Sequence, residues 1–167
     1  AECPVTALRV LKDRGAELPK ILFAGAPRKS LMDYVDRPEL ADVRHRIQFV
    51  TNPNQSELRM LYQNALALVI PSKMEGWGLP LGEALWLGTP GCAASVPALQ
   101  EVGRELAHYF APERPVELAD LTEKLMRDAN YREWERSRIA AARSTLRTWR
   151  NVAQDMMMAT IERPQFA

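Results

Sequence analysis

Residues 73–83 of this 167-residue chain carry two carboxylates, Glu75 and Glu83, on either side of a Gly76-Trp77-Gly78 turn. Leu79 and Pro80 follow at once, and proline suits a helix opening because its missing N–H would have had no helical partner there. The paired glycines let the backbone bend tightly and come close to a ligand without a side chain intervening. Free N–H groups and the dipole of the following helix favour an anion at this point. The segment therefore has the outline of a phosphate site between two carboxylates, each a strong acceptor for paired hydroxyls. The acids could then address hydroxyls on opposite sides of a diphosphate. Without a ligand, the same residues make a plain tight loop, with Glu75 solvated and Glu83 gaining about 0.3–1 kcal/mol from the helix dipole.

The elements that must position this turn follow from periodicity. Residues 5–15 space Val5, Leu8 and Leu11 helically and stop at Gly15, as a helix with a left-handed end does. The apolar block 20–25, KILFAG, lies between Pro19 and Pro27 and reads as a strand buried on both faces. Blocks 46–50, 65–70, 90–95 and, more weakly, 107–111 repeat the pattern. Helical segments alternate with them over 30–40, 55–65 and 79–88, and three more follow over 116–129, 133–146 and 149–161. Strands alternating with helices through short turns imply parallel strands with right-handed crossovers, hence an α/β fold with a Rossmann-like, doubly wound parallel sheet. In such sheets ligands sit beyond the carboxyl ends of the strands, and the turn after 65–70 is one of those ends.

Composition narrows the class. With 47% hydrophobic and 26% charged residues, the chain matches a folded domain that needs no disulfide or metal staple. A net charge of +1, from 22 basic and 21 acidic residues, provides no basic footprint for nucleic acid. Cys3 and Cys92 are too far apart in sequence for a redox or zinc motif; Cys92 reads as a core residue and Cys3 as incidental. The chain reads as one domain, cytoplasmic, without a signal segment. His45 and His108 fall near strand beginnings, away from the site, and read as structural or solvated. Arg132, Arg136, Arg138, Arg143, Arg147 and Arg150 read as a solvated helix face, the rival reading being peripheral contact with an anionic membrane. Met156, Met157, Met158 and Ile161 predict an exposed apolar patch on the last helix.

The segment 75–95, EGWGLPLGEALWLGTPGCAAS, resembles the Glu-x7-Glu signature of the retaining GT-B glycosyltransferases of group 1, family four. The likeness extends through 46–72 and 95–128 and covers roughly 20–160; Trp77 stands where the family more often has phenylalanine. It implies a C-terminal, donor-binding domain that works with an N-terminal acceptor domain to move a sugar from a nucleoside-diphosphate donor to an acceptor hydroxyl with retention, in polysaccharide or lipid-linked glycan synthesis. By position, Glu75 would hold donor-sugar hydroxyls in the catalytic centre. The backbone of Gly76, Trp77, Gly78 and Leu79 would lie against sugar and diphosphate, Glu83 would bind the ribose, and Thr51 and Asn52 would approach the base. No metal or other cofactor is implied.

The resemblance also implies a first strand, with a loop bearing an arginine and a lysine, ahead of the helix at 5–15. Neither that segment nor the acceptor domain lies within these residues, so the chain is expected to be a fragment that is silent by itself. Arg28 and Lys29 follow a later strand and do not inherit the loop's role. The rival reading is a noncatalytic nucleotide-binding or assembly module with the same fold. A glycosidase fits less well, because its two carboxylates must face each other across a scissile bond rather than straddle an anion turn.

Overall fold

A computed structural model describes residues 2–26 and 28–161; Ala1, Pro27 and the side chain of Ile161 lie outside the described residues. The chain opens with α1 (Glu2–Asp13), then β1 (Ile21–Ala24), α2 (Lys29–Val35), α3 (Ala41–Arg44) and β2 (Ile47–Val50). There follow α4 (Gln55–Asn64), β3 (Leu68–Ile70), α5 (Leu79–Trp86), β4 (Gly91–Ala94), α6 (Pro97–Gly103) and β5 (Ala107–Phe110). Three helices end it: α7 (Pro115–Arg127), α8 (Ala129–Ala141) and α9 (Trp149–Ile161). Every strand pairing is parallel, and helices alternate with strands as the periodicity predicts.

The single sheet that was expected is divided. β1 pairs with β2 in one sheet, and β3, β4 and β5 form a second in that order. β1 also departs from the reading of a strand buried on both faces: its residues alternate between part-buried and exposed, and Leu22 is 45% exposed. The composition of β1 suits a central strand, but in this arrangement only one of its edges is bonded. β4, by contrast, is buried throughout. Its small residues admit close packing, since a Cβ on Gly91 would stand 2.4 Å from Leu81 Cδ1.

α1 joins the two sheets. Its Val5 and Leu8 pack with Val35, Leu40, Val43 and Ile47 on the β2 side. Its Ala7 and Leu11 pack with Cys92, Phe110 and Leu118 on the β4 and β5 side. Each buried leucine contributes about 1.5–3 kcal/mol by leaving water, so both faces of α1 hold the halves together. At the end of the helix Arg14 donates to Asp120 of α7 at 2.7 Å. The third cluster, around Leu81, Leu85, Leu99 and Ile139, packs α5, α6 and α8 on the second sheet.

Several boundaries differ from those expected. α3 and α6 are helices over residues to which the periodicity assigns no element. α8 starts at Ala129 rather than 133 because Asp128 accepts a 2.8 Å bond from the Tyr131 N–H and caps it. It ends at Ala141, and residues 143–145 form a 3-10 turn. The arginines there are not a uniformly solvated face. Arg132 donates to the carbonyls of Leu125 and Met126, Arg136 to Ala65, and Arg138 to Glu105 and Leu106, so three of the six cap other elements of the fold. On α9, Met156, Met157 and Met158 are exposed, as the patterning predicts.

Candidate functional site

The turn between β3 and α5 is shaped by Gly78. It is the N-cap of α5 in the left-handed region, φ 78° and ψ 37°, and a Cβ there would stand 2.6 Å from Leu99 Cδ2. Glycine is required on both counts. The Gly78 carbonyl accepts from the N–H of Leu81 at 3.0 Å and of Gly82 at 3.4 Å, while Pro80 has no N–H to offer. Among the described residues, the N–H groups of Gly76, Trp77, Gly78 and Leu79 have no hydrogen-bond partner. They are the donors an anion would use.

One cavity of about 1940 Å³ adjoins this turn, and both Glu75 and Glu83 line it. Glu83 is positioned by a neighbour: the Tyr62 hydroxyl on α4 donates to its Oε2 at 3.1 Å. The start of α4 is fixed by a capping box, in which Asn54 Oδ1 accepts from the Glu57 N–H at 3.0 Å and Glu57 Oε2 from the Asn54 N–H at 2.8 Å. Its end is held where buried Thr89 donates to the Tyr62 carbonyl at 2.7 Å. Burial, and then the Glu83 charge, push the Tyr62 phenol well above its ordinary value, so it remains a donor. Lys73, in the same turn, is paired with Glu113 at 2.8 Å, and the bond holds the Glu113 carboxyl below its ordinary value.

Glu75, Glu83 and Asn52 share this cavity. Asn52 leaves β2 with φ 47°, a left-handed conformation that asparagine tolerates better than most residues. Thr51 is exposed beside it and is not part of the lining. Trp77 and Leu79 are 47% and 44% exposed and, with Gly76 and buried Gly78, form the turn without lining the cavity. Arg28 lines it and Lys29 does not. Tyr62 was not among the residues singled out from sequence. Its signal was a phenol on the apolar side of a helix, which needs a partner once buried.

The two histidines stay apart from this cavity. His45 is exposed, and His108 Nε2 lies 3.0 Å from Oε1 of buried Glu135, whose other oxygen accepts from Arg138 at 2.6 Å. Burial raises the Glu135 carboxyl, but bonds from Arg138 and Tyr131 and the neighbouring positive charge outweigh it and bring it below its ordinary value. Cys92 is buried, and burial followed by the Glu135 charge pushes its thiol up to about 12. Among the described residues, no group of three or more His, Cys, Asp or Glu is placed to hold a metal, and no helix is long and apolar enough to cross a membrane.

Residues 5–143 match the family of glycosyl transferases group 1. The chain belongs to that family. Its relatives include an uncharacterized glycosyltransferase of Methanocaldococcus jannaschii, 28% identical over 139 residues, covering 81% of this chain and 35% of the relative. The O-antigen chain mannosyltransferase RfbU of Salmonella typhimurium is 35% identical over 72 residues, covering 43% of this chain and 20% of the relative. This chain thus spans about a third of the length of one relative and a fifth of the other. In fold, the chain resembles Anabaena HepE, solved in complex with UDP and glucose, with a TM-score of 0.79 at 17% identity, covering 97% of this chain and 44% of that one. The architecture is thus the Rossmann-like α/β fold of the GT-B group 1 glycosyltransferases, with parallel strands and flanking helices.

Proposed function

We propose that this chain is the donor-binding part of a retaining hexosyltransferase and holds a nucleoside-diphosphate sugar at the turn between β3 and α5. The observation that carries the reading is that Glu75 and Glu83 line one cavity, with unpartnered backbone N–H groups in the turn between them. In this reading Glu75 takes donor-sugar hydroxyls. The amides of Gly76, Trp77, Gly78 and Leu79 face the diphosphate. Glu83, steered by Tyr62, takes the ribose, and Asn52 and Thr51 approach the base through their backbone. A carboxylate accepting two neighbouring hydroxyls orients a furanose or pyranose ring as well as binding it, which is what a transferase needs to present the anomeric carbon. No metal enters the scheme: within this chain the diphosphate charge is met by the backbone dipoles of the turn and the start of α5.

Family membership supports sugar transfer, the UDP and glucose in HepE support the donor class, and the Salmonella relative's role as an O-antigen chain mannosyltransferase supports polysaccharide synthesis. Transfer also needs an oriented acceptor, so the 167-residue chain by itself should bind donor without turning it over. Calorimetry with UDP, GDP and their hexose conjugates, with and without a chelator, tests the reading. One nucleotide series should bind unaffected by the chelator, and Glu83→Ala should weaken it by about 1–3 kcal/mol for the charged hydrogen bonds lost. Binding that is indifferent to Glu83→Ala would remove the ribose role, and no binding across the panel would remove the donor reading.

A further inference from the structure

Among the described residues, the cavity beside the turn is lined by three basic side chains, Lys20, Arg28 and Lys73. Lys20 precedes β1, at the end of that strand away from the carboxyl-end turns where ligands of such sheets sit. Arg28 caps the start of α2, next to the first sheet. Lys73 lies in the turn that leaves β3, two residues before Glu75 and three before Gly76. Consecutive Cα atoms are about 3.8 Å apart, so the Cα of Lys73 lies within about 11 Å of that of Gly76. Lysine has a flexible four-carbon stem. Its ammonium can therefore swing toward the anion that the N–H groups of Gly76, Trp77, Gly78 and Leu79 would face.

Glu113 holds that ammonium in this structure. Lys73 Nζ lies 2.8 Å from Oε1 of Glu113, in the segment between β5 and α7, and Glu113 lines the same cavity. The pair spans the carboxyl ends of β3 and β5, which are not neighbours, because β4 runs between them. Both side chains are exposed, Lys73 at 71% and Glu113 at 64%, and a solvated pair of this kind is weak. A diphosphate offers the ammonium more negative charge and more acceptor oxygens than one carboxylate does. The exchange therefore favours the ligand.

We propose that Lys73 is a side-chain cation of the diphosphate site and that Glu113 is its exchangeable counter-ion, displaced when a nucleoside diphosphate binds. This role rests on the donor reading of the turn and adds a mobile charge to its fixed backbone dipoles. Lys73 follows β3, so it differs in position from the arginine and lysine that the resemblance places ahead of α1. Glu113 competes with the ligand for one ammonium, and its presence lowers affinity by the strength of the pair. Removing either partner therefore moves affinity in opposite directions: loss of the lysine weakens binding, and loss of the glutamate tightens it. The second effect exists only while the lysine is there to be released.

Calorimetry with UDP and GDP tests the exchange on the wild-type chain, Lys73→Met, Glu113→Gln and the double variant. Both side chains stand in solvent, so neither substitution disturbs the core. For whichever nucleotide binds the wild type, Lys73→Met should weaken binding about ten-fold, the scale of one charged hydrogen bond. Glu113→Gln should tighten it about two- to five-fold, the scale of an exposed ion pair. The double variant should bind like Lys73→Met, with no gain from the second substitution. Unchanged affinity in Lys73→Met overturns the proposal and leaves the donor reading standing. So does weaker or unchanged binding in Glu113→Gln. An equal gain from Glu113→Gln in the Lys73→Met background also overturns it, because the glutamate would then act by general repulsion of the anion. Failure of both nucleotides to bind the wild type removes the donor reading, and this role with it.

Discussion

The Tyr62 hydroxyl donates to Oε2 of Glu83 at 3.1 Å, linking α4 to the acid midway along α5. Tyr62→Phe removes the donor and keeps the ring in place. Nucleotide affinity should fall by about 0.5–1.5 kcal/mol, the net value of one hydrogen bond, with little change in Tm. A double-mutant cycle with Glu83→Ala, read by calorimetry, should be non-additive, because the phenol acts only through the carboxylate. Additive losses would show that Tyr62 does not act through Glu83.

Gly76 and Gly78 should respond differently to the same substitution. Gly78→Ala forces a left-handed side chain against Leu99 Cδ2, 2.6 Å from the ideal Cβ. It should cost at least about 1–2 kcal/mol in urea denaturation. Gly76 has nothing within 4 Å of its ideal Cβ, so Gly76→Ala should leave stability nearly unchanged, and any effect on nucleotide affinity would report approach of the ligand to that backbone.

Glu135 is depressed in the folded chain, so its contribution is present above the ordinary glutamate value of about 4.3 and is lost as pH falls through the lower folded value. Glu135→Gln leaves Arg138 and His108 without their anion and should destabilise the chain by about 1–3 kcal/mol at pH 7. The gap between wild type and variant should narrow below about pH 4.3 when both are followed by denaturant titration. A gap that stays constant into the acid range would contradict the depressed carboxyl.

Cys92 should be inert to a thiol reagent in the native state, since its thiol is buried and pushed up to about 12. Cys3 is part-buried beside the cavity and should react first. Mass spectrometry of timed labelling should show one fast adduct at Cys3 and a second only under unfolding conditions.

The alternation of elements and the chemistry of the turn at 75–83 were legible because glycine, proline and acid spacing encode them locally. The division of the sheet was not. An apolar run such as Ile21-Leu22-Phe23-Ala24 records that a strand is made for burial, not which of its edges finds a partner in the folded chain. α6 was not legible because its seven residues are too few for a helical period to stand out, although Pro97 is at home at a helix start. The arginines of α8 were misread for a related reason: charge on a helix looks solvated until the carbonyls of Leu125, Ala65 and Glu105 are brought beneath it by packing. Tyr62 could be recognised as buried from helical spacing, but its partner lies 21 residues away.

The docking of α1 against α7 sets an order of events during synthesis. Arg14 and Asp120 lie 106 positions apart, so when the ribosome has released only the first half of the chain, α1 has one apolar side still in water. Val5 and Leu8 can settle early, yet Leu11 must wait for Leu118. Stalling or truncation before residue 115 should therefore yield an adhesive intermediate, a target for chaperones, while adding α7 should convert it within one cooperative step.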